Sequence, residues 1–257
     1  MTDQVDEDGF TKVTHFKYKA VANNRKKNRK NKYSFKDPDE WKLEDLNRTL
    51  DQRKETLVDS RFFKDLSVIF EESLLYTKPH DIVCYGIGSM HKSKNAQYQF
   101  VLALIIREIL KISGTMYIFD PVMTDLDKEL CASHNIKLIT ENEDGKRVID
   151  RPTLFYMPHC GRGLYSNTLS ANWSRDRLPL VTIIGNKFDM YVGSQLQKDL
   201  IRECPYLITA VDIVNCIAFP KEFDNNQIFN DISIQTFPTE TVDKLDDDFW
   251  SNVPTLE

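Results

Sequence analysis

From residue 81 onward, short apolar runs alternate with longer segments of helical periodicity. The runs are apolar on both faces, which is typical of strands buried in a parallel sheet. Because parallel neighbours need long crossovers that are usually helical, the alternation predicts a Rossmann-like α/β fold with a mostly parallel sheet and helices on both faces. The predicted strands lie at 82–86, 115–119, 136–139, 153–157 and 180–184, with strand-like runs at 206–211 and 232–237, and the predicted helices lie at 93–112, 123–134, 164–173 and 193–204.

The residues before this alternation differ from it in character. Residues 1–36 contain ten Lys or Arg and four acidic residues, a balance of +6, so the rest of the chain must sum to −11 to give the net charge of −5. The run RKKNRKNK at 25–32 has no apolar periodicity and predicts disorder. Leu and Phe residues at helical spacing between positions 43 and 70 predict two helices. We therefore expect a disordered basic arm at 1–37, a single Rossmann-like domain with N-terminal helices at 38–240, and an acidic C-terminal tail at 241–257.

Charge and cysteine content restrict the function classes. The basic segment 12–36 has two interpretations: a nuclear-import or weak, sequence-independent nucleic-acid patch, or a solvated tail. No apolar run reaches the ~18 residues that a membrane span requires, so no membrane association is expected. The five cysteines are scattered and form no C-x-x-C pair, which argues against a disulfide framework or a zinc finger. Reduced thiols fit an intracellular compartment, and we expect a cytoplasmic and nuclear protein.

Chemically distinctive residues directly follow five of the predicted strands. In an open parallel sheet, ligands bind in the crevice beyond the carboxyl ends of the strands. Because those ends meet at one edge, we expect the five groups to line a single small-molecule site. The candidate binding residues are Gly86, Gly88, Ser89, Asp120, Glu141, His159 and Asn186.

The stretch YGIGS at 85–89 combines a strand end with a Gly-x-Gly turn that leads towards a helix. Glycines there allow close approach of the backbone to a ligand, and a helix N-terminus favours an anion. Asp120 follows the next strand, where such folds hold ribose hydroxyls. A nucleotide or S-adenosylmethionine-like ligand is one interpretation, and a tight turn without a ligand is the other. The dinucleotide pattern G-x-G-x-x-G is incomplete, because His91 stands at the third glycine position.

The stretch PHCG at 158–161 places an imidazole beside a thiol after a buried strand. His159 and Cys160 are candidate catalytic residues, but adjacent side chains usually point apart, which disfavours a Cys–His nucleophile. We expect His159 to line the crevice as a donor or acid–base group, with a polar turn as the alternative. The other histidines show no metal-ligand spacing, so no metal site is predicted.

The stretch ENEDGKR at 141–147 centres on Asp144–Gly145. Asp-Gly is among the strongest hairpin-turn patterns, so a solvated hairpin is expected here. Glu141 comes directly after the third predicted strand and could still face the crevice.

Nine short stretches between residues 85 and 233 form a recognisable set. They are YGIGS (85–89), AQYQ (96–99), FDP (119–121), ENEDGKR (141–147), FYMPHCG (155–161), LYSN (164–167), NWS (172–174), IGN (184–186) and FNDIS (229–233). Together they resemble the SRR-like family, named after the plant phenotype sensitivity to red light reduced, over roughly residues 60–240. The resemblance implies a regulatory protein in circadian clock input and control of gene expression, linked to haem metabolism in animal members, with unidentified protein partners and no established reaction. The alternative hypothesis is a nucleotide- or S-adenosylmethionine-dependent transferase that uses the crevice.

Overall fold

The structure is a computed structural model that describes residues 40–74, 77–192, 197–224, 228–251 and 253. The predicted basic arm at 1–37 lies outside the described residues. Within the described ranges, seven strands form one sheet in the order β3-β2-β1-β4-β5-β7-β6, with β1 to β5 parallel and β7 antiparallel to both of its neighbours. The prediction of a mostly parallel sheet is confirmed. The strands are β1 (Asp81–Tyr85), β2 (Met116–Phe119), β3 (Lys137–Leu138), β4 (Thr153–Met157), β5 (Val181–Asn186), β6 (Asn215–Ala218) and β7 (Ile232–Thr236).

Helices cover both faces of this sheet, as predicted. The helices are α1 (Leu43–Asp59), α2 (Arg61–Ser73), α3 (Lys94–Ile109), α4 (Asp125–Ser133), α5 (Arg162–Ala171), α6 (Asp189–Val192), α7 (Gln197–Glu203), α8 (Pro205–Val211), α9 (Thr239–Val242) and α10 (Asp247–Ser251). Helices α1 to α4 share one core with the strand residues of one face, including Tyr156. Helices α5 and α7 to α9 share a second core with the opposite face, including Phe155. Strand β4 lies in the centre, so its side chains fill both cores alternately.

Two segments on the β6 side of the fold differ from the prediction. The run YLITAV at 206–211 was expected to be a strand, and that prediction is wrong, because it lies in helix α8. A short apolar run does not by itself distinguish a strand from a buried helix turn, and Pro205 occupies the first turn of this helix, where its missing N–H costs nothing. Strand β6 was not predicted, and its side chains are half-buried or exposed.

The longest apolar helix is α3, and eleven consecutive residues of it, 96–106, are buried. This burial places α3 between the sheet and α1, and it anchors the loop that joins β1 to α3. In the described part of the chain, no helix has both the length and the apolar character to cross a bilayer.

Candidate functional site

The carboxyl ends of β2, β1, β4 and β5 lie side by side in the sheet, and the residues after them touch. The Gly88 N–H donates to Oδ2 of Asp120 at 2.8 Å. Gly86 packs against Cys160 so closely that a Cβ on Gly86 would lie 2.5 Å from the Cys160 Sγ. The His159 N–H donates to Oδ1 of Asn186 at 3.0 Å. These contacts form a continuous row, which we call the crevice row, across four neighbouring strand ends.

Two predicted site residues stand outside the crevice row. Ser89 is buried, and its hydroxyl donates to Oδ2 of Asp127 at 2.6 Å, so it supports the loop from beneath. Glu141 is exposed after β3 and forms no hydrogen bond or ion pair with the residues that the structure describes. Five predicted binding residues therefore belong to the row: Gly86, Gly88, Asp120, His159 and Asn186.

A buried carboxylate holds the loop between β1 and α3. Asp127 is fully buried, and it accepts hydrogen bonds from the Ser89 hydroxyl and from the backbone N–H groups of His91 and Thr124, both at 2.8 Å. Thr124 and Asp127 also form the capping box of α4. Asp127 was not predicted, although the Thr-x-x-Asp spacing of a capping box was present in the sequence.

The Gly-x-Gly turn adopts a conformation that favours glycine. Gly86 and Gly88 have φ angles of 70° and 85°, which are costly for other residues. Helix α3 does not start directly after this turn, because residues 89–93 intervene and Ser93 caps the Ala96 N–H. The close approach at Gly86 is made to the Cys160 thiol, and the N-terminus of α3 lies farther along the chain than the sequence indicated.

The His159 imidazole is held in one orientation at the edge of the row. Its Nε2 lies 3.1 Å from the Ile228 carbonyl oxygen. Because a carbonyl oxygen only accepts, Nε2 carries the proton of the neutral ring and Nδ1 carries the lone pair. His159 is exposed and has a φ of 55°, a left-handed conformation that is uncommon outside glycine. Unfavourable backbone geometry of this kind clusters at functional sites.

Two tyrosines that the sequence did not single out support the His159 loop. The Tyr191 hydroxyl donates to the Cys160 carbonyl and accepts from Nδ2 of Asn186, both at 2.9 Å. The Tyr165 hydroxyl donates to the Met157 carbonyl at 2.5 Å and accepts from the Asn186 N–H at 2.9 Å. Asn186 is thus fixed by both rings, and it fixes the backbone of the loop in turn.

The Cys160 thiol is placed for packing. It is buried, and its Sγ donates to the Tyr85 carbonyl at 3.4 Å. Burial, with a smaller contribution from the negative charge of Asp120, raises the pKa of Cys160 to about 12. Because the thiolate is the nucleophilic form, the geometry does not favour Cys160 as a nucleophile.

The ENEDGKR segment turns at Asp144 and Gly145 as expected, but no strands flank the turn, so the prediction of a solvated hairpin is wrong. Glu143 instead accepts from the Tyr85 hydroxyl at 2.6 Å and pairs with Arg147, also at 2.6 Å. Burial alone would raise the pKa of Glu143, but the hydrogen bonds from Arg147 and Tyr85 hold it below its ordinary value. The segment is therefore tied to the end of β1.

Helix α5 holds the same segment from the other side. The fully buried Asn172 accepts from the Ile149 N–H at 3.0 Å and donates to the Arg147 carbonyl at 2.9 Å. The Thr168 hydroxyl lies within hydrogen-bond distance of the Gly145 carbonyl at 3.0 Å. The contacts of Asn172 give the NWS stretch a structural role beside the crevice.

Metal ligands do not converge in the described ranges, where no group of three or more His, Cys, Asp or Glu side chains could hold an ion. The crevice row contains five of the residues that the sequence predicts to hold an organic cofactor. Asp120 offers carboxylate acceptors, the Gly86–Gly88 turn offers close backbone approach, and His159 offers a ring nitrogen with a lone pair.

Comparison with known proteins decides the family. A family model described as the SRR1 domain matches residues 49–236, which is well over half of the chain. The chain belongs to the SRR1 family. It is 32% identical over 179 residues to an SRR1-like protein of Drosophila melanogaster, 36% over 132 residues to one of Mus musculus, and 33% over 146 residues to the Arabidopsis thaliana protein Sensitivity to Red Light Reduced 1. These alignments cover 68%, 51% and 56% of this chain, but only 62%, 53% and 53% of the three relatives.

Solved structures similar to this SRR1-family chain include methyltransferases. The SAH-bound methyltransferase PaMTH1 of Podospora anserina matches with a TM-score of 0.40 and 14% identity, covering 75% of this chain and 87% of that one. Human N-acetylserotonin methyltransferase matches with a TM-score of 0.35 and 13% identity, covering 77% of this chain and 59% of that one. At this level of identity the likeness concerns the fold alone, and function must be argued from the site.

Proposed function

We propose that this SRR1-family protein binds a nucleoside-containing ligand, S-adenosylmethionine or a nucleotide, in the crevice, and acts as a group-transfer enzyme. The observation that carries the proposal is the contact between Asp120 and Gly88, which places a carboxylate beside a glycine turn at adjacent strand ends. This is where open α/β sheets bind nucleosides.

Asp120 keeps the hydrogen-bonding capacity that a ribose needs. Its Oδ2 accepts one N–H from Gly88 and its Oδ1 accepts one from Val122 at 3.0 Å. Each carboxylate oxygen has two lone pairs, so one acceptor position is left on each oxygen. Two acceptors in one plane complement the two neighbouring hydroxyls of a ribose. The two backbone N–H groups fix the orientation of the carboxylate before any ligand arrives.

His159 supplies the proton acceptor in this proposal. Its Nε2–H is bound to Ile228, so Nδ1 is the free base, and no residue of the described ranges hydrogen-bonds to Nδ1. Imidazole is the side chain most often used for general acid–base catalysis. A substrate hydroxyl or amine beside Nδ1 would lose its proton to the ring as it forms a bond to the transferred group, while the bond from that group to the nucleoside-containing donor breaks and its electron pair stays on the departing donor.

A thermal-shift panel tests the ligand. The full chain is heated with S-adenosylmethionine, S-adenosylhomocysteine, ATP, NAD and haem, each at saturating concentration. A ligand at a hundred times its Kd stabilises the fold by about 2.7 kcal/mol, which raises the Tm by roughly 5–10 °C. We expect one nucleoside-containing member to give this rise, and Asp120→Ala to abolish it relative to the variant's own Tm.

Asp125→Ala is the matched control, because Asp125 is exposed in the first turn of α4 and, among the described residues, forms an ion pair with Lys128 alone. It removes the same charge five positions along the chain and should keep the ligand-dependent rise. The proposal fails if no nucleoside-containing ligand raises the Tm, or if Asp120→Ala responds like the wild type.

A regulatory role in circadian clock input and gene expression, exercised in the cytoplasm and nucleus and linked to haem, is the second proposal. Its support is the family membership, the name of the Arabidopsis thaliana relative, and the +6 charge of residues 1–36. Deleting residues 12–36 from a fluorescently tagged chain should lower its nuclear-to-cytoplasmic ratio, because clustered basic residues serve nuclear import. An unchanged ratio would remove the arm from this proposal.

A further inference from the structure

A second cavity opens at the same edge of the sheet, away from the Asp120 end of the crevice row. It lies beyond the ends of β5 and β6 and the start of β7, with a volume of about 460 Å³. This volume falls within the range of small-molecule sites. Its apolar lining includes Met190, Phe219, Pro220, Phe229 and Ile232. The FNDIS stretch at 229–233 forms one wall, and the crevice row uses none of its residues.

Three charged side chains also line this cavity: Lys187, Lys221 and Asp231. The Lys187 Nζ is already paired with Asp189 at 2.5 Å. Lys221 forms no ion pair with the residues that the structure describes. The Asp231 carboxylate accepts from the Asn230 amide at 2.8 Å, but no described cation lies within ion-pair distance of it.

Among the residues that the structure describes, the cavity therefore presents one exposed cation, Lys221, and one exposed anion, Asp231, neither of which has an ion-pair partner. A purely anionic ligand would face Asp231, and a purely cationic ligand would face Lys221 and Lys187. A molecule that carries both charges satisfies both groups, and an apolar body attached to it would contact the apolar lining of the cavity.

We propose that this cavity binds a free amino acid with an apolar side chain, its carboxylate at Lys221 and its ammonium group at Asp231. The apolar side chain contacts Met190 and Phe219. The site is built from the ends of β5 and β6 and from the loop before β7, so it needs no ligand in the crevice.

Isothermal titration calorimetry of the full chain without any nucleoside tests the proposal. The titrants are L-tryptophan, L-phenylalanine, L-methionine and L-leucine, together with tryptamine, which lacks the carboxylate, and indole-3-propionate, which lacks the ammonium group. We expect saturable one-to-one binding of at least one amino acid. If tryptophan binds, tryptamine and indole-3-propionate should each bind about tenfold more weakly, because each loses one charge-assisted contact. If another amino acid binds, its own decarboxylated and deaminated analogues serve as the comparison.

Two conservative substitutions test whether Lys221 binds the carboxylate of the amino acid and Asp231 its ammonium group. Lys221→Met keeps the apolar stem and should weaken amino-acid binding about tenfold while leaving the carboxylate-free analogue unaffected. Asp231→Asn removes the negative charge, and asparagine tolerates the left-handed φ of 59° at this position. This variant should bind the amino acid as weakly as the wild type binds the analogue without an ammonium group. Glu222→Gln changes an exposed charge next to Lys221 that does not line the cavity, and it should bind like the wild type.

Absence of saturable binding by all four amino acids overturns the proposal, and so does binding that neither variant weakens. Because the titration contains no nucleoside, either result is independent of the thermal-shift test of the crevice.

Discussion

Replacing Asp127 by alanine is expected to lower the free energy of unfolding by about 4 kcal/mol. The carboxylate is fully buried and accepts from the Ser89 hydroxyl and from the backbone N–H groups of His91 and Thr124. Alanine removes the acceptor of the buried Ser89 hydroxyl and of two half-buried N–H groups, and the loss of the acceptor of a buried donor costs about 1–3 kcal/mol. Urea unfolding followed by circular dichroism measures the loss.

The same substitution should also release the Gly-x-Gly turn, since Ser89 and His91 directly follow it. The ligand-dependent rise in Tm should therefore fall even under conditions where the Asp127→Ala variant is folded. Asp125→Ala, which removes an exposed carboxylate two positions earlier in α4, serves as the control and should leave stability and ligand response close to wild type. A loss of stability no larger for Asp127→Ala than for Asp125→Ala would show that the buried carboxylate does not hold the loop.

The parallel part of the sheet could be predicted because β1, β4 and β5 are buried on both faces and read as continuous apolar runs. The structure on the β6 side of the sheet could not be predicted from the sequence. Helix α8 carries a run as apolar as a strand, and only its packing against α5 and α7 decides its conformation. Edge strand β6 is half-exposed, so it lacks the burial on both faces that marks the central parallel strands. The prediction succeeded where burial alone dictates the pattern and failed where tertiary contacts choose between two conformations.

The same division applies to the candidate site. Asp120, His159 and Asn186 could be placed at one edge because each lies at or just after the carboxyl end of a parallel strand, and strand direction alone brings such residues together. Asp127 and Tyr165 could not be placed there, because they lie on helices whose docking against the edge depends on the packed core. The residues that form the crevice row were therefore accessible to sequence reasoning, whereas most of those that hold it in shape were not.

Replacing Gly185 by alanine should lower the free energy of unfolding by about 3 kcal/mol, since overpacking a buried strand forces its neighbours to move. Gly185 lies in β5, where a Cβ would stand 2.7 Å from the Tyr165 ring and 2.9 Å from the Met157 carbonyl oxygen. The carbonyl belongs to the neighbouring strand and cannot withdraw, so the ring must shift. That shift breaks the hydrogen bonds of the Tyr165 hydroxyl to Met157 and Asn186. Urea unfolding measures the loss.

Gly163→Ala is the matched control, because a Cβ on Gly163 meets nothing within 4 Å and alanine favours the helix in which it lies. It should leave stability unchanged or raise it by up to about 1 kcal/mol. If the two variants had equal free energies of unfolding, the Tyr165 ring would move without loss of stability. The hydrogen bond of the Tyr165 hydroxyl would then not be what holds Asn186 in place. Because Asn186 in turn holds the His159 backbone, Gly185→Ala should also increase amide hydrogen exchange at His159, which Gly163→Ala leaves unchanged. A fast-exchanging His159 amide in Gly185→Ala alone would tie the packing of β5 to the one imidazole that the proposed chemistry requires.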